Sequence, residues 1–114
     1  MENIFKVLAD DNRLSIVLLL INRELCINHI SLGTNLKQAN TSRNLKILRE
    51  HNLVNFRKNK NNHYYSLNED FFSDMPELYR YLKKLTKESK YQEDIIRMKA
   101  VKVCGCRGIC ECQL

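Results

Sequence analysis

Apolar residues recur at helical spacing through the first third of the chain. Four of them predict a short first helix: Ile4, Phe5, Val7 and Leu8. That helix is expected to end near the polar cluster at 10–12, which then caps the next helix. Seven of the eight residues in 14–21 are apolar, a run that predicts a helix buried on nearly all sides. Apolar positions in 24–32 predict a third, short helix that ends at Gly33.

The stretch 37–52, KQANTSRNLKILREHN, predicts an amphipathic helix. Leu45 and Leu48 fall on one face with Thr41 beside them, whereas the opposite face is polar and mostly basic. Side chains on this helix that can reach base edges or phosphates are Gln38, Asn40, Ser42, Arg43, Asn44 and Lys46. A solvated helix has the same pattern, but a short turn joins this helix to the third one. Two helices so joined are typical of a helix-turn-helix.

Beyond this helix the apolar period changes from about 3.6 residues to about 2. Val54 and Phe56 alternate with polar residues, 60–63 supplies turn residues, and 64–67 is again rich in strand formers. The predicted hairpin has a basic tip and outer face, formed by Arg57, Lys58, Lys60 and His63. A basic ribbon after a basic helix predicts a winged helix whose wing follows the DNA backbone. In this interpretation His63 is a wing residue and not a metal ligand.

The last part of the chain predicts one long helix. Asp74 and Pro76 mark its start. A narrow apolar seam follows, formed by Leu78, Leu82, Leu85, Tyr91, Ile95 and Met98. Such a seam is too narrow to join a core but can pair with another helix. We therefore expect dimerisation through this helix, with Leu82 and Leu85 in the seam.

Charge is unevenly distributed along the 114 residues. The segment 36–67 has seven Lys or Arg and one acidic residue, an excess equal to the net charge of +6 of the whole chain. Such concentration favours a phosphate-binding surface. With 44% hydrophobic residues the chain can form one folded domain, which we place at 1–103 and follow with a tail at 104–114. Neither an 18-residue apolar run nor a signal-like N-terminus occurs, so we expect a cytoplasmic protein with no membrane partner.

The order of these motifs resembles the ArsR family of arsenic- and metal-responsive repressors. The resemblance is carried by LADDNRLSIVLLL, ELCINHI, LKILREHNLV and HYYSL within residues 1–70. It implies a mainly α winged helix-turn-helix with about five helices and a two-stranded wing. It also implies a homodimer that binds double-stranded operator DNA and releases it when soft metal or metalloid ions bind. By position, the base-contacting residues would be Gln38, Asn40, Thr41, Ser42 and Arg43.

This chain departs from the family pattern at two places. Many members have Ser at the helix cap and Pro shortly after it, where this chain has Lys37 and Ala39. Arsenic-type members also have paired cysteines in the third helix, as in ELCVC, whereas Cys26 is followed here by Ile27 and Asn28. The entry into the recognition helix and the usual thiol site are both altered.

Four cysteines stand close together at the C-terminal end, in the pattern C-G-C-R-G-I-C-E-C: Cys104, Cys106, Cys110 and Cys112. In a reducing cytoplasm they are better metal or metalloid ligands than disulfide partners. Thiolates select soft ions such as arsenite, antimonite, zinc, cadmium and copper(I). Three sulfurs suit a trivalent metalloid and four suit zinc. Cys26 is either a buried cysteine or a fifth ligand, and His29 is expected at the surface.

Four hypotheses follow, three of them within the same fold. The favoured one is a repressor released by arsenite, with antimonite as a second inducer. The alternatives within the same fold are a thiol sensor of oxidants or persulfide, and a repressor with a structural or sensory zinc or cadmium thiolate site. A thiol enzyme is disfavoured, because no cysteine lies in a Gly-rich loop and no catalytic arrangement of Ser, His and Asp is visible.

Overall fold

A computed structural model describes residues 2–21, 23–59 and 62–100. Seven helices lie within these ranges: α1 (Glu2–Leu8), α2 (Asp11–Leu19), α3 (Ile27–Thr34), α4 (Gln38–Glu50), α5 (Glu69–Ser73), α6 (Pro76–Leu85) and α7 (Ser89–Ala100). Three strands accompany them: β1 (Leu25–Cys26), β2 (Val54–Asn59) and β3 (Asn62–Leu67). The fold is a mainly helical winged helix-turn-helix, as expected. Among the described residues no helix is long and apolar enough to cross a bilayer.

The first two helices follow the predicted pattern. The Asp10 carboxylate accepts hydrogen bonds from the backbone N–H groups of Asn12 and Arg13, at 2.9 and 3.2 Å, so Asp10 is the N-cap of α2. The last six of the eight residues in the apolar run, from Ile16 onwards, are buried. Leu14 is half-buried, so α2 is not enclosed along its whole length.

The third helix is shorter than predicted. Leu25 and Cys26 form a strand instead of a first helical turn, and α3 begins only at Ile27. Gly33 does not end the helix either. It lies inside α3 and is buried, where a Cβ would stand 2.8 Å from Cδ1 of Leu19 and 3.4 Å from Cβ of Met98. The helix ends instead at Asn35, whose left-handed φ of 59° is a conformation that Asn tolerates.

The predicted hairpin is part of a three-stranded antiparallel sheet with the order β1-β3-β2. Val54 pairs with Leu67 at one end of the ladder between β2 and β3, and Asn59 pairs with Asn62 at the other. Asn62 and His63 therefore belong to β3 and not to the turn. On the other edge of β3, Leu25 pairs with Tyr65, which fixes the start of α3 to the base of the wing.

The C-terminal part differs most from the prediction. Asn68 caps the additional short helix α5, and α6 begins at Pro76 without a side-chain cap from Asp74. The expected long helix is broken at 86–88, and α7 packs back against α3 and α2. Leu82 and Met98 are fully buried in the core of the chain itself, and Leu85 packs against that core. The prediction that Leu82 and Leu85 form a dimer seam is therefore wrong.

Candidate nucleic-acid interface

The helix α4 presents a polar face to solvent. Its apolar face is anchored in the core through Leu45 and Leu48, which are both fully buried. The predicted DNA-contacting residues exposed on the other side are Gln38, Asn40, Ser42, Arg43 and Lys46. Lys37 is the N-cap and makes no side-chain capping hydrogen bond, so the first N–H groups of α4 remain available to a phosphate. Exposure and basic character suit this face to a major groove.

Thr41 is a correction to the predicted set. Its side chain is completely buried, and its hydroxyl accepts a hydrogen bond from Ser31 Oγ at 2.9 Å. The same hydroxyl donates to the carbonyl of Lys37 at 3.2 Å. Thr41 therefore joins α4 to α3 and cannot reach a base edge in this conformation.

Two further hydrogen bonds connect the polar face of α4 to its neighbours. Gln38 Nε2 donates to Asn28 Oδ1 on α3 at 2.8 Å. Arg13 Nη1 on α2 donates to Asn44 Oδ1 at 3.5 Å. The position and orientation of the recognition helix are thus set by α2 and α3 together, and sequence periodicity gave no sign of these pairs.

The basic residues of the wing lie in two different environments. Arg57 makes two hydrogen bonds to the carboxylate of Glu24, at 2.6 and 3.2 Å, and its guanidinium lies 4.6 Å from the ring centroid of Tyr64. Its charge is therefore already paired. Lys58 and His63 are exposed, and the His63 ring meets Phe56 edge-on at 5.2 Å. Lys60, at the predicted tip, lies outside the described residues.

Cys26 and His29 form a buried pair at the start of α3. Cys26 is the N-cap, and its sulfur accepts the backbone N–H of His29 at 3.4 Å. The His29 Nδ1 is also 3.4 Å from this sulfur. The prediction that His29 lies at the surface is wrong, since only 3% of it is exposed. Its i, i+3 spacing from Cys26 was the signal in the sequence that could have indicated the contact.

The predicted thiol site, Cys104, Cys106, Cys110 and Cys112, lies outside the described residues. Within the described ranges there is no group of three or more His, Cys, Asp or Glu arranged to hold a metal ion. The helix that leads to the thiols is held firmly to α3. Arg97 Nη1 donates to the carbonyl of Gly33 at 2.8 Å and to the carboxylate of Asp94 at 3.0 Å.

Comparison with known proteins identifies the family of this chain. Residues 10–55 match the family described as "Bacterial regulatory protein, arsR family". An arsenical resistance operon repressor of Staphylococcus xylosus is 39% identical over 71 residues, which span 62% of this chain and 68% of that protein. Another, from Staphylococcus aureus, is 35% identical over 75 residues, 66% of this chain and 72% of that protein. The chain belongs to the arsR family of bacterial regulatory proteins.

A solved structure agrees with this assignment. Reduced HlyU from Vibrio cholerae superimposes with a TM-score of 0.63 at 32% identity, covering 75% of this chain and 86% of that one. As an ArsR-family transcriptional repressor, the protein has its helix-turn-helix in α3 and α4 and its wing in β2 and β3. The matched residues 10–55 include α2, α3 and all of α4.

Proposed function

We propose that this protein is a dimeric repressor that binds double-stranded operator DNA in the cytoplasm and is released by arsenite or antimonite. In this proposal residues 1–103 bind DNA and dimerise, and the tail at 104–114 captures the metalloid. The observation that carries the proposal is the cluster of four cysteines within nine residues of an arsR-family chain. Thiolates at this density bind trivalent arsenic or antimony through three sulfurs.

DNA binding is supported by the surface of α4 and the wing. The exposed residues on α4 match the groups that read major-groove edges, with Arg43 suited to guanine and Gln38 or Asn40 to adenine. Lys58 and His63 on the wing, with Lys60 at its predicted tip, would contact phosphates. Because several cations would neutralise phosphates, affinity should fall steeply with salt.

Dimerisation is supported by an open apolar groove between α1 and α6. Phe5 and Tyr81 are large hydrophobic residues that remain 66% and 59% exposed. They line this groove of about 630 Å³ together with Met75 and Leu78. A hydrophobic face of this kind is the normal candidate for a protein partner. A two-fold symmetric partner is proposed because a second copy would place two recognition helices on one duplex.

The charges along α6 favour an antiparallel arrangement of the two copies. Asp74 and Glu77 lie at the N-terminal end of the groove, and Lys84 is near the C-terminal end of the same helix. An antiparallel copy would bring each acidic end against a basic end. A parallel copy would bring like charges together, which is unfavourable.

The switch is supported by the contacts of α7, which connects the tail to the DNA-binding helices. Met98 is fully buried near Gly33, and Arg97 is hydrogen-bonded to the Gly33 carbonyl. The same helix α3 holds the recognition helix through Ser31 and Thr41. If thiol capture reorganises the end of α7, α3 and α4 would move with it. Release then requires that the metalloid bind the DNA-free form more tightly.

Two other signals are outcomes of the same test. A structural or sensory zinc or cadmium ion would use four tail sulfurs in place of three. A redox or persulfide signal would need only paired thiols, and one similar structure is that of reduced HlyU. Cys26 is assigned the smaller role, because its side chain is completely buried against His29.

The decisive experiment is arsenite titration of a protein–DNA complex followed by fluorescence anisotropy. The duplex is one enriched by the wild-type protein from a randomised library. We expect Cys104→Ser, Cys106→Ser and Cys110→Ser to bind DNA normally but to need a higher arsenite concentration for release. Cys112→Ser should change the arsenite concentration needed for release the least of the four, since three sulfurs suffice to bind a trivalent metalloid. Cys26→Ser is the matched control and should have the smaller effect.

Two further variants sharpen the result. A chain ending at Val103 should stay bound at arsenite concentrations that release the wild type. Arg97→Ala should bind arsenite with unchanged stoichiometry yet release DNA less completely, because the link from α7 to α3 is cut. If a variant without the four tail cysteines is still released at wild-type arsenite levels, the tail is not the sensor. Release by zinc, cadmium or an oxidant but not by arsenite would assign the signal to the alternatives.

A further inference from the structure

Gln38 is oriented by a residue outside the recognition helix. It is the first residue of α4, is exposed, and donates from Nε2 to Asn28 Oδ1 at 2.8 Å. Asn28 lies in the first turn of α3 and is partly buried. The distance and the chemical groups are those of a good hydrogen bond. Because α3 is fixed to the sheet through Leu25 and Tyr65, Asn28 provides a rigid reference point for a long, mobile side chain.

The bond determines which groups Gln38 can offer to DNA. A Gln amide has one acceptor oxygen and two N–H donors. With one N–H used by Asn28, the Oε1 acceptor and one N–H donor remain. This pair is complementary to the N6–H donor and N7 acceptor of adenine in the major groove.

We propose that Asn28 is a positioning residue for base reading, which fixes the amide of Gln38 so that it selects adenine at one position of the operator. This inference depends on the proposed DNA-binding function. Asn28 acts through Gln38 and does not itself contact the base. Holding the amide before DNA arrives also avoids part of the cost of ordering a flexible side chain on binding.

The test compares base preferences and not only affinities. Starting from the duplex enriched by the wild-type protein, each base pair of a half-site is changed singly, and the ratio of dissociation constants is measured. Gln38→Ala identifies the position that Gln38 reads, with an expected loss of preference for adenine of about tenfold. Asn28→Ala should lose most of that preference at the same position and leave the other positions unchanged.

Asn28→Asp is the discriminating variant. It keeps the acceptor oxygens, so the preference for adenine should survive within about twofold. Its added negative charge should weaken binding to every duplex alike, in a salt-dependent way. The double variant of Asn28→Ala and Gln38→Ala should lose no more preference than Gln38→Ala alone, because the two residues act as one unit. Asn12→Ala, an exposed asparagine in the first turn of α2, is the control for removal of an amide.

Several results would overturn the inference. The inference is contradicted if Asn28→Ala keeps the preference for adenine or lowers affinity equally for all duplexes. It is also contradicted if the effect of Asn28→Ala adds to that of Gln38→Ala. Loss of preference in Asn28→Asp would also contradict it, since the acceptor is still present. If Gln38→Ala changes no single position while arsenite still releases the complex, this inference fails and the proposed function stands. If the wild-type protein enriches no duplex, the proposed function itself has failed.

Discussion

Arg57 is a basic residue of the wing whose charge is already paired with a carboxylate. It donates two hydrogen bonds to the Glu24 carboxylate, and its guanidinium lies over the ring of Tyr64. A bidentate pair of this geometry fixes the guanidinium in place. Arg57 is therefore expected to stiffen the base of the wing, and its charge is only weakly available to phosphates.

This leads to a prediction at residue scale. Glu24→Gln should raise affinity for all DNA sequences and steepen the salt dependence by about one unit, because one more cation becomes available. Both side chains of the pair are partly exposed, so the loss of folding stability should stay below about 1 kcal/mol. Affinity measured against salt concentration, with a random duplex, checks both points.

Glu93→Gln is the control for that measurement. Glu93 is exposed on α7, and the substitution removes the same charge. If it raises affinity as much as Glu24→Gln does, the effect comes from total charge and the pairing of Arg57 with Glu24 is irrelevant to DNA binding.

Residue identity alone could predict the outer face of α4 but not every member of it. The spacing of Leu45 and Leu48 placed the polar face correctly, since these leucines are buried as predicted. Helical spacing places Thr41 beside these leucines, whereas its position in the family pattern assigned it to DNA contact, and its complete burial agrees with the spacing. Its burial depends on Ser31, ten residues away in a different helix. Tertiary pairs of this kind leave no trace in local periodicity.

At the scale of elements, two of the errors in prediction differ in whether the sequence could have prevented them. The strand β1 has only two residues and is stabilised by β3, some forty residues later, so no local pattern could indicate it. The break between α6 and α7 was readable in principle. Leu85 and Tyr91 are six residues apart, which on an unbroken helix sets them about 120° from each other. One continuous seam could therefore not contain both.

The attachment of α7 to α3 includes a buried carboxylate. Asp94 is only 6% exposed, and burial raises the pKa of its carboxyl group, although the hydrogen bond and charge of Arg97 and the charge of Lys90 oppose the rise. Glu93 reinforces it slightly. Since burial outweighs the partners, the ionised form of Asp94 carries a net cost in the folded state.

The sign of the pH effect follows from this raised pKa. Asp94 contributes stability when protonated, and that contribution is lost as the pH rises through its folded pKa. Asp94→Asn removes the titration and keeps an acceptor for Arg97. As the pH rises from about 3 to about 7, the free energy of unfolding of Asp94→Asn minus that of the wild type should therefore increase. Urea unfolding at several pH values measures it. A relative stability that falls with rising pH would show that the ion pair with Arg97 outweighs burial.

At the scale of the whole molecule, two of the three large hydrophobic residues that are exposed in the described part of the chain lie at one open groove. The residues at the groove, Phe5 and Tyr81, lie on α1 and α6 and are separated by most of the chain. Phe5→Glu together with Tyr81→Glu should produce a folded monomer in sedimentation velocity. Loss of the second half-site should weaken binding to a full operator by about 10²-fold or more. Binding to a single half-site should change little.

Ile96→Glu is the matched control, because Ile96 is equally exposed at 67% but lies on α7, outside the groove. It should remain a dimer.

The antiparallel arrangement is tested by charge reversal. Glu77→Lys should weaken the dimer, and adding Lys84→Glu should restore it, since an antiparallel copy exchanges the two ends of α6. Monomer formation by Ile96→Glu would move the interface to α7. Further weakening in the double reversal would exclude the antiparallel pairing, because reversing both ends leaves complementary charges only in that geometry.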